Sequence, residues 1–362
     1  MKAKKNLHDS VFFIVAAPVG TSPSQRFRFE HFLSNLDEQK IKYRISPYFS
    51  EKGRKILYSK KNLIKKIAIL LWGLLKRLGD LFRIISYKYV YIHREAAPVG
   101  PPFFEWVIAK IFRKKIIYDF DDSIWVPAMS EYNKGFLPIK YFSKVRKICK
   151  WAYKVSVGND FLKEYAIRYN ENVIVVPTVV NTRTTHGIVQ SQKTLKPSVG
   201  WTGSFSTLIY LDIVLPALKR LQEKADFTFY VIADKDPALP LPNYQFIEWR
   251  KETETDDLLR FHIGLMPLTD DEITRGKCGF KAIQYMALGM PALVSPVGVN
   301  TKIVRDGVDG FVCTNTEDWE DKMLLLLNDM NLRTQMGLAA RKKIENEYSV
   351  TAIAPRFLSL FK

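Results

Sequence analysis

At 362 residues the chain is too long for one small core and suits two α/β domains. Its 47% apolar and 25% charged residues exclude a disordered or collagen-like chain. Cys149, Cys278 and Cys313 are odd in number and lack metal-type spacing, which argues against a disulfide framework or a zinc site and for a reducing compartment. The net charge of +18 is one-sided: residues 1–180 carry 33 Lys+Arg against 15 Asp+Glu, whereas residues 181–362 carry 22 of each. Such an excess suggests that the first half faces an anionic surface or substrate.

The apolar run at residues 11–17 is seven residues long, with His8 and Asp9 before it and Pro18 after. It reads as a first buried parallel strand, VFFIVAAP, rather than a signal sequence. The polar loop GTSPS leads into helical periodicity from Arg26 to Lys40, then the strand IKYRISPYF. From Lys52 to Lys88 there are eleven basic residues and one acid, Asp80. Leucines and isoleucines recur there at helical spacing, yet no apolar run reaches the roughly 18–20 residues of a membrane-spanning helix. An interfacial helix is the expectation, with Lys60, Lys61, Lys65, Lys66, Trp72, Lys76 and Arg77 facing an anionic membrane. The alternative is an ordinary helix whose apolar face packs on a sheet while its lysines face water. The half closes with the strand YVYIHRE, a helix near residues 103–112, the strand KIIYDF, a helix near 140–152, and the strands KVSVGN and VIVVPTVV.

Residues 181–197 are polar, lack periodicity and end in Pro197, which reads as a linker. The alternation then restarts: PSVGWTG, a helix over 208–224, FTFYVIA, NYQFIEW, a helix near 256–261, HIGLMPL, a helix over 279–288, PALVSPVG, GFVC and two terminal helices. Strand–helix–strand spacing throughout means crossover connections and parallel sheets. The expected fold is α/β, with two Rossmann-like, doubly wound domains at 1–181 and 182–345. A helical tail at 346–362 would pack back on the first. Ligands in such an arrangement bind in a cleft, at the carboxyl ends of the strands.

Asp119, Asp121 and Asp122 cluster after a strand, where carboxylates hold ligand hydroxyls or act as a base; helix capping is the bland alternative. Gly20, in a strand-to-helix turn, and Arg94 with Glu95, at a strand end, are candidates for acceptor contacts. His8, His31, His186 and His262 form no spaced cluster that suggests a metal. In the second half, Arg275, Lys277 and Lys281 fall within seven residues, flanked by Gly276 and Gly279, just before a helix. Glycines that admit a backbone, fixed cations and a helix start suit a diphosphate.

The run GKCGFKAIQYMALGMPALVSPVGVNTKIVRDGVDGFVC (276–313) resembles the donor-binding signature of retaining glycosyltransferases of GT-B fold, family 4 (group 1 type). GWTGSFSTLIYL (200–211) is similar to the loop that opens that family's second domain. SQRFRFEHFL, YIHREAAPVGPPFFEWVIAKIF and IIYDFDDSIW resemble its first. The resemblance implies a donor site of Gly203, Ser204, Arg275, Gly276, Lys277, Gly279, Lys281 and Gln284. The family's two glutamates, eight positions apart, fall here on Gly276 and Gln284. A glutamine can still hold ribose hydroxyls; a glycine cannot replace a carboxylate. The family's usual Arg and Lys after the 200–203 loop are also missing.

The resemblance implies an enzyme that moves a sugar from a nucleotide diphosphate sugar to a glycan or lipid-linked acceptor, with retention and without metal or other cofactor. Lys281, Asp119, Asp121 and Asp122 would be catalytic, and the place peripheral, on the cytoplasmic face of the membrane, in polysaccharide or glycoconjugate synthesis. Alternatives are an epimerase or hydrolase on the same fold, or an inactive binding subunit. Nucleic acid is not expected, because the basic stretch lacks a reader fold.

Overall fold

The computed structural model describes residues 9–57, 62–127 and 139–362. The chain divides into two units, residues 1–177 with 354–362, and residues 178–353. The first unit holds β1 (Ser10–Val15), β2 (Lys42–Pro47), β3 (Tyr89–His93), β4 (Lys115–Phe120), β5 (Lys154–Val157) and β6 (Val173–Val175) in the order β2-β1-β3-β4-β5-β6. The second holds β7 (Val199–Thr202), β8 (Phe229–Ala233), β9 (Tyr244–Glu248), β10 (Ile263–Met266), β11 (Ala292–Val294) and β12 (Gly310–Val312) in the order β12-β11-β10-β7-β8-β9. All neighbouring strands are parallel, as continuous apolar runs buried on both faces require.

In the first unit β1 lies between β2 and β3, and in the second β7 lies between β8 and β10, so the strand order reverses beside the first strand of each. That reversal opens a crevice at the strands' carboxyl ends, between β1 and β3 in one unit and between β7 and β10 in the other. The final segment belongs to the first unit, where Phe357 stacks on Phe32 at 4.4 Å and Phe361 meets Tyr89 edge-on at 5.8 Å. Residues 181–197 are irregular but tied down rather than free. Arg341 donates to the carbonyls of Thr182 and His186, and Arg333 to those of Gln192 and Thr194. Arginine side chains thus replace the ladder partners that this stretch lacks.

The amphipathic stretch is one helix, Leu63–Ile84, with its polarity distributed differently from the expectation. Arg77 and Lys66 are buried and do not face outward. Arg77 donates to the carbonyls of Val15, Ser46 and Ala96 and pairs with Asp80 at 2.9 Å. Lys76 donates to the carbonyl of Pro47 at 2.5 Å. Where β1 and β2 end, their carbonyls lose ladder partners, and these cations satisfy them. The outer face is apolar instead, with Ile64, Leu71, Trp72, Leu75 and Phe82 more than half exposed. Lys65 is exposed as expected, while Lys60 and Lys61 lie outside the described residues. No described helix is long and apolar enough to cross a membrane.

Candidate functional site

In the first unit a pocket of about 270 Å³ opens at the β1/β3 crevice, lined by Ser22, Ser24, Arg54, His93, Arg94, Glu95 and Lys140 among others. Arg94 follows β3 with φ at +64°, a left-handed conformation uncommon for a side chain this long. It is held there by its N–H donating to Asp119 O at 2.7 Å and its carbonyl accepting from Tyr118 Oη at 2.8 Å. Its guanidinium pairs with Asp121 at 2.7 Å. Glu95 pairs with Lys144 at 2.8 Å. Asp122 accepts from the Ser123 N–H at 3.0 Å, a local turn contact. Gly20 does not line the pocket; it forms a turn with φ at +79°, and its N–H donates to Glu30 at 2.8 Å.

Asp119 corrects the expectation of a catalytic carboxylate. It is fully buried and its oxygens are engaged by Arg28 at 2.5 Å, Ser156 Oγ at 2.6 Å and His93 Nδ1 at 2.9 Å. Burial works to raise its pKa, but Arg28 and His93 outweigh it and hold the carboxyl below the usual range. With no oxygen open to a ligand, Asp119 acts on its neighbours. His93 and Ser156 sit opposite it across the ladders, at the paired positions of β3, β4 and β5. The sequence reading missed His93, which lies inside an apolar strand; only the register that puts it beside an acid distinguishes it.

In the second unit the crevice is built from the ends of β7 and β10. After β7, Gly203 has no room for a side chain, since a Cβ there would come within 2.5 Å of Trp201. Ser204 and Ser206 share a hydrogen bond at 2.9 Å. After β10, Asp271 caps the short helix Glu272–Arg275, accepting from the N–H groups of Ile273 and Thr274 at 2.9 Å each. Gly276 ends that helix. Gly279 then precedes the helix Phe280–Ala287 in a left-handed conformation, φ +67°, and a Cβ there would meet Ile303 at 2.0 Å. Its carbonyl takes the first helical bond, from Ile283 N–H at 3.1 Å.

Lys281 lies in the first turn of that helix, its Nζ 5.4 Å from the centre of the Trp201 ring. Burial, with a smaller contribution from Lys277, pushes its pKa down to about 7, and no carboxylate offsets them. Arg275 is engaged by Asp270 through two contacts, at 2.6 and 2.9 Å.

Residues 196–329 match the family model described as Glycosyl transferases group 1. No curated protein sequence matches the chain. Among solved structures it is similar to a glycosyltransferase from Rickettsia africae, at 13% identity, 98% coverage of both chains and a TM-score of 0.66. A sucrose-phosphate synthase from Thermosynechococcus elongatus superposes with 12% identity, 98% coverage of both and a TM-score of 0.68. Anabaena HepE, solved in complex with UDP and glucose, covers 97% of this chain and 99% of its own at 14% identity and 0.63. This is the GT-B fold.

Within it the expected donor residues divide. Gly203, Ser204, Gly276, Lys277, Gly279 and Lys281 all follow the ends of β7 and β10. Gln284 is buried, and its amide nitrogen lies 3.5 Å from Nε2 of His186, which is itself buried. Among the described residues no group of three or more His, Cys, Asp or Glu gathers as a metal site.

Proposed function

We propose that the chain is a glycosyltransferase that takes a sugar from a nucleotide diphosphate sugar. The observation that carries this is Lys281: a cation in the first turn of a helix, costly to keep charged, two residues after the left-handed Gly279. A diphosphate supplies the missing negative charge, and the helix start adds N–H donors. As the glycosidic bond to the nucleotide breaks, charge grows on the leaving diphosphate, and a fixed ammonium stabilises that stage more than the ground state. The group 1 match supports the reading, as do the fold relatives, among them HepE solved with UDP-glucose and a starch synthase IV from Arabidopsis thaliana bound to ADP and acarbose.

The acceptor in this reading is a glycan or lipid-linked sugar, transfer retains configuration, and no metal takes part. The chain would sit on the cytoplasmic membrane face, in polysaccharide or glycoconjugate synthesis. The outer face of Leu63–Ile84 supports the membrane part. Each large apolar side chain taken from water there contributes about 1.5–3 kcal/mol, so insertion of Trp72 and Phe82 supplies what the inward-facing Lys66 and Arg77 do not. A second reading, an inactive nucleotide-binding subunit, is favoured by Gly276 at a family glutamate position, since Asp270 nearby is occupied by Arg275.

A thermal-shift screen over UDP-, GDP-, ADP- and dTDP-sugars, followed by nucleotide release with and without acceptor and with chelator, tests the proposal. One nucleotide sugar should stabilise the chain, and release should need acceptor but not metal. Binding without release supports the inactive subunit; release without acceptor supports a hydrolase. No stabilisation by any donor removes the proposal.

A further inference from the structure

Trp201 carries a cost that its packing does not explain. It is fully buried on β7, in one apolar cluster with Val199, Ile263 and Leu265. Its Nε1 has no hydrogen-bond partner among the described residues. A buried indole N–H normally finds one, and leaving it unmet is a cost that phenylalanine at the same place would avoid. What an indole offers in return is its face, which attracts a cation more strongly than that of tyrosine or phenylalanine. A cation is there: Lys281 Nζ lies 5.4 Å from the ring centre, within the roughly 6 Å over which that attraction acts.

The contact crosses the sheet. Side chains alternate along a strand, so Gly200 and Gly264 face away from the Trp201 cluster. On that opposite face a Cβ at Gly264 would lie 2.2 Å from the Tyr285 ring, so the helix Phe280–Ala287 rests there. Tyr285 Oη accepts from the Thr202 N–H at 2.9 Å and pins the helix to the last residue of β7. Lys281, one turn before Tyr285, therefore reaches over the end of β7 to the indole. Gly203 lies against the six-membered part of the same ring, where a Cβ would meet it at 2.5 Å. Lys277, in the preceding loop, acts on Lys281 by repulsion, and burial keeps Tyr285 neutral. With no acid among the described residues to hold the ammonium, the ring is its counterpart.

We propose that Trp201 is a positioning residue whose indole face holds the Lys281 ammonium at the end of β7 and keeps it charged for a diphosphate. The inference rests on the glycosyl-transfer reading only for the diphosphate; the pairing itself stands on the geometry. Sequence alone does not raise it, because the two residues are far apart in the chain and meet only across the strand end.

The test replaces Trp201, in the full chain, by mono-, di-, tri- and tetrafluorotryptophan, which keep the shape of the indole while draining negative charge from its face. Lysine carries ¹³C at Cε, and the Lys281 signal is assigned by its absence in Lys281→Met. Its titration midpoint should fall stepwise along the series, by about one pH unit in all. UDP affinity at pH 7, by calorimetry, should fall about fivefold with it, while at pH 5, where the ammonium is kept throughout, the series should bind alike. In a Lys281→Met background the series should leave UDP binding unchanged. A Lys281 midpoint that stays fixed along the series, or an equal loss of UDP affinity in the Lys281→Met background, would overturn the proposal, since either makes the ring packing alone. If the midpoint follows the fluorines but UDP binds the wild type at no pH, the pairing stands and the diphosphate reading fails.

Discussion

Each unit opens a crevice beside its first strand, where the strand order reverses, yet their electrostatics differ. At β1/β3 most charges are matched within the protein: Arg28 with Asp119, Arg94 with Asp121, Lys144 with Glu95, Arg77 with Asp80. At β7/β10 no carboxylate among the described residues offsets the burial of Lys281, and Lys277 adds to the cost of its charge. Matched charges fix geometry and leave a polar, orienting surface. An unmatched charge makes its crevice incomplete until an anion arrives, which is how two such crevices come to suit different ligands.

Unmatching the first crevice should have the largest effect. Asp119→Ala leaves the guanidinium of Arg28 buried without its carboxylate and should cost about 3–5 kcal/mol in urea unfolding. A loss under about 1 kcal/mol would mean that Arg28 is satisfied by the carbonyl of Val176 and by Ser156, and that the contrast between the crevices is overdrawn.

Removing the charge from the second crevice should do the reverse for the fold. Lys281→Met should weaken nucleotide diphosphate binding by roughly 1.5–3 kcal/mol, measured by titration calorimetry. The same variant should be more stable than wild type. Because the folded pKa lies near 7 and the unfolded value near 10.5, the unfolded chain binds more protons between them, and wild-type stability rises with pH across that window. The advantage of Met is therefore fullest below pH 7, where the wild type keeps a charged, half-buried lysine. Unfolding curves at pH 6 and pH 10 check the sign.

The backbone at each crevice sharpens the comparison further. Arg94 and Gly279 both adopt left-handed conformations, but the first is tied by hydrogen bonds and the second is cleared of side chain. Gly279→Ala puts a methyl against Ile303 and should destabilise by about 1–3 kcal/mol while weakening nucleotide binding. Unchanged melting and binding would show that the loop yields easily and that its shape does not define the site.

The architecture was legible in the sequence because apolar runs bounded by Gly and Pro alternate with helical periods in both halves. The grouping of cations and glycines at a helix start after β10 was legible because they lie within a dozen positions of one another. What was hidden depends on register and facing. Asp119 read as one of three equivalent acids, yet it is the last but one residue of β4, level with His93 and Ser156, while Asp121 lies beyond the strand. No local signal fixes how parallel strands align, because their partners are far apart in sequence. The helix Leu63–Ile84 is apolar on more than one side, so periodicity could not say which side meets the sheet. Lys76 and Arg77, assigned to the membrane, turned inward because strand-end carbonyls needed donors.

The smallest effect separates the two crevices by pH alone. In the free protein Lys281 loses its proton near pH 7. A bound diphosphate favours the ammonium, so the complex has the higher pKa and binding above pH 7 must take up a proton. The contribution of Lys281 to affinity is then constant below about pH 6, where it is charged in both states, and falls as pH rises through 7. Between pH 7 and pH 8 the charged fraction of the free protein drops about fivefold, and affinity should follow by a similar factor. Titration of UDP at pH 8 in two buffers of different ionisation enthalpy reads the proton directly, and uptake close to one per nucleotide is expected. Lys281→Met should abolish the uptake seen with UDP. Uptake that persists in that variant would move the proton to another group and leave the second crevice without its unmatched charge.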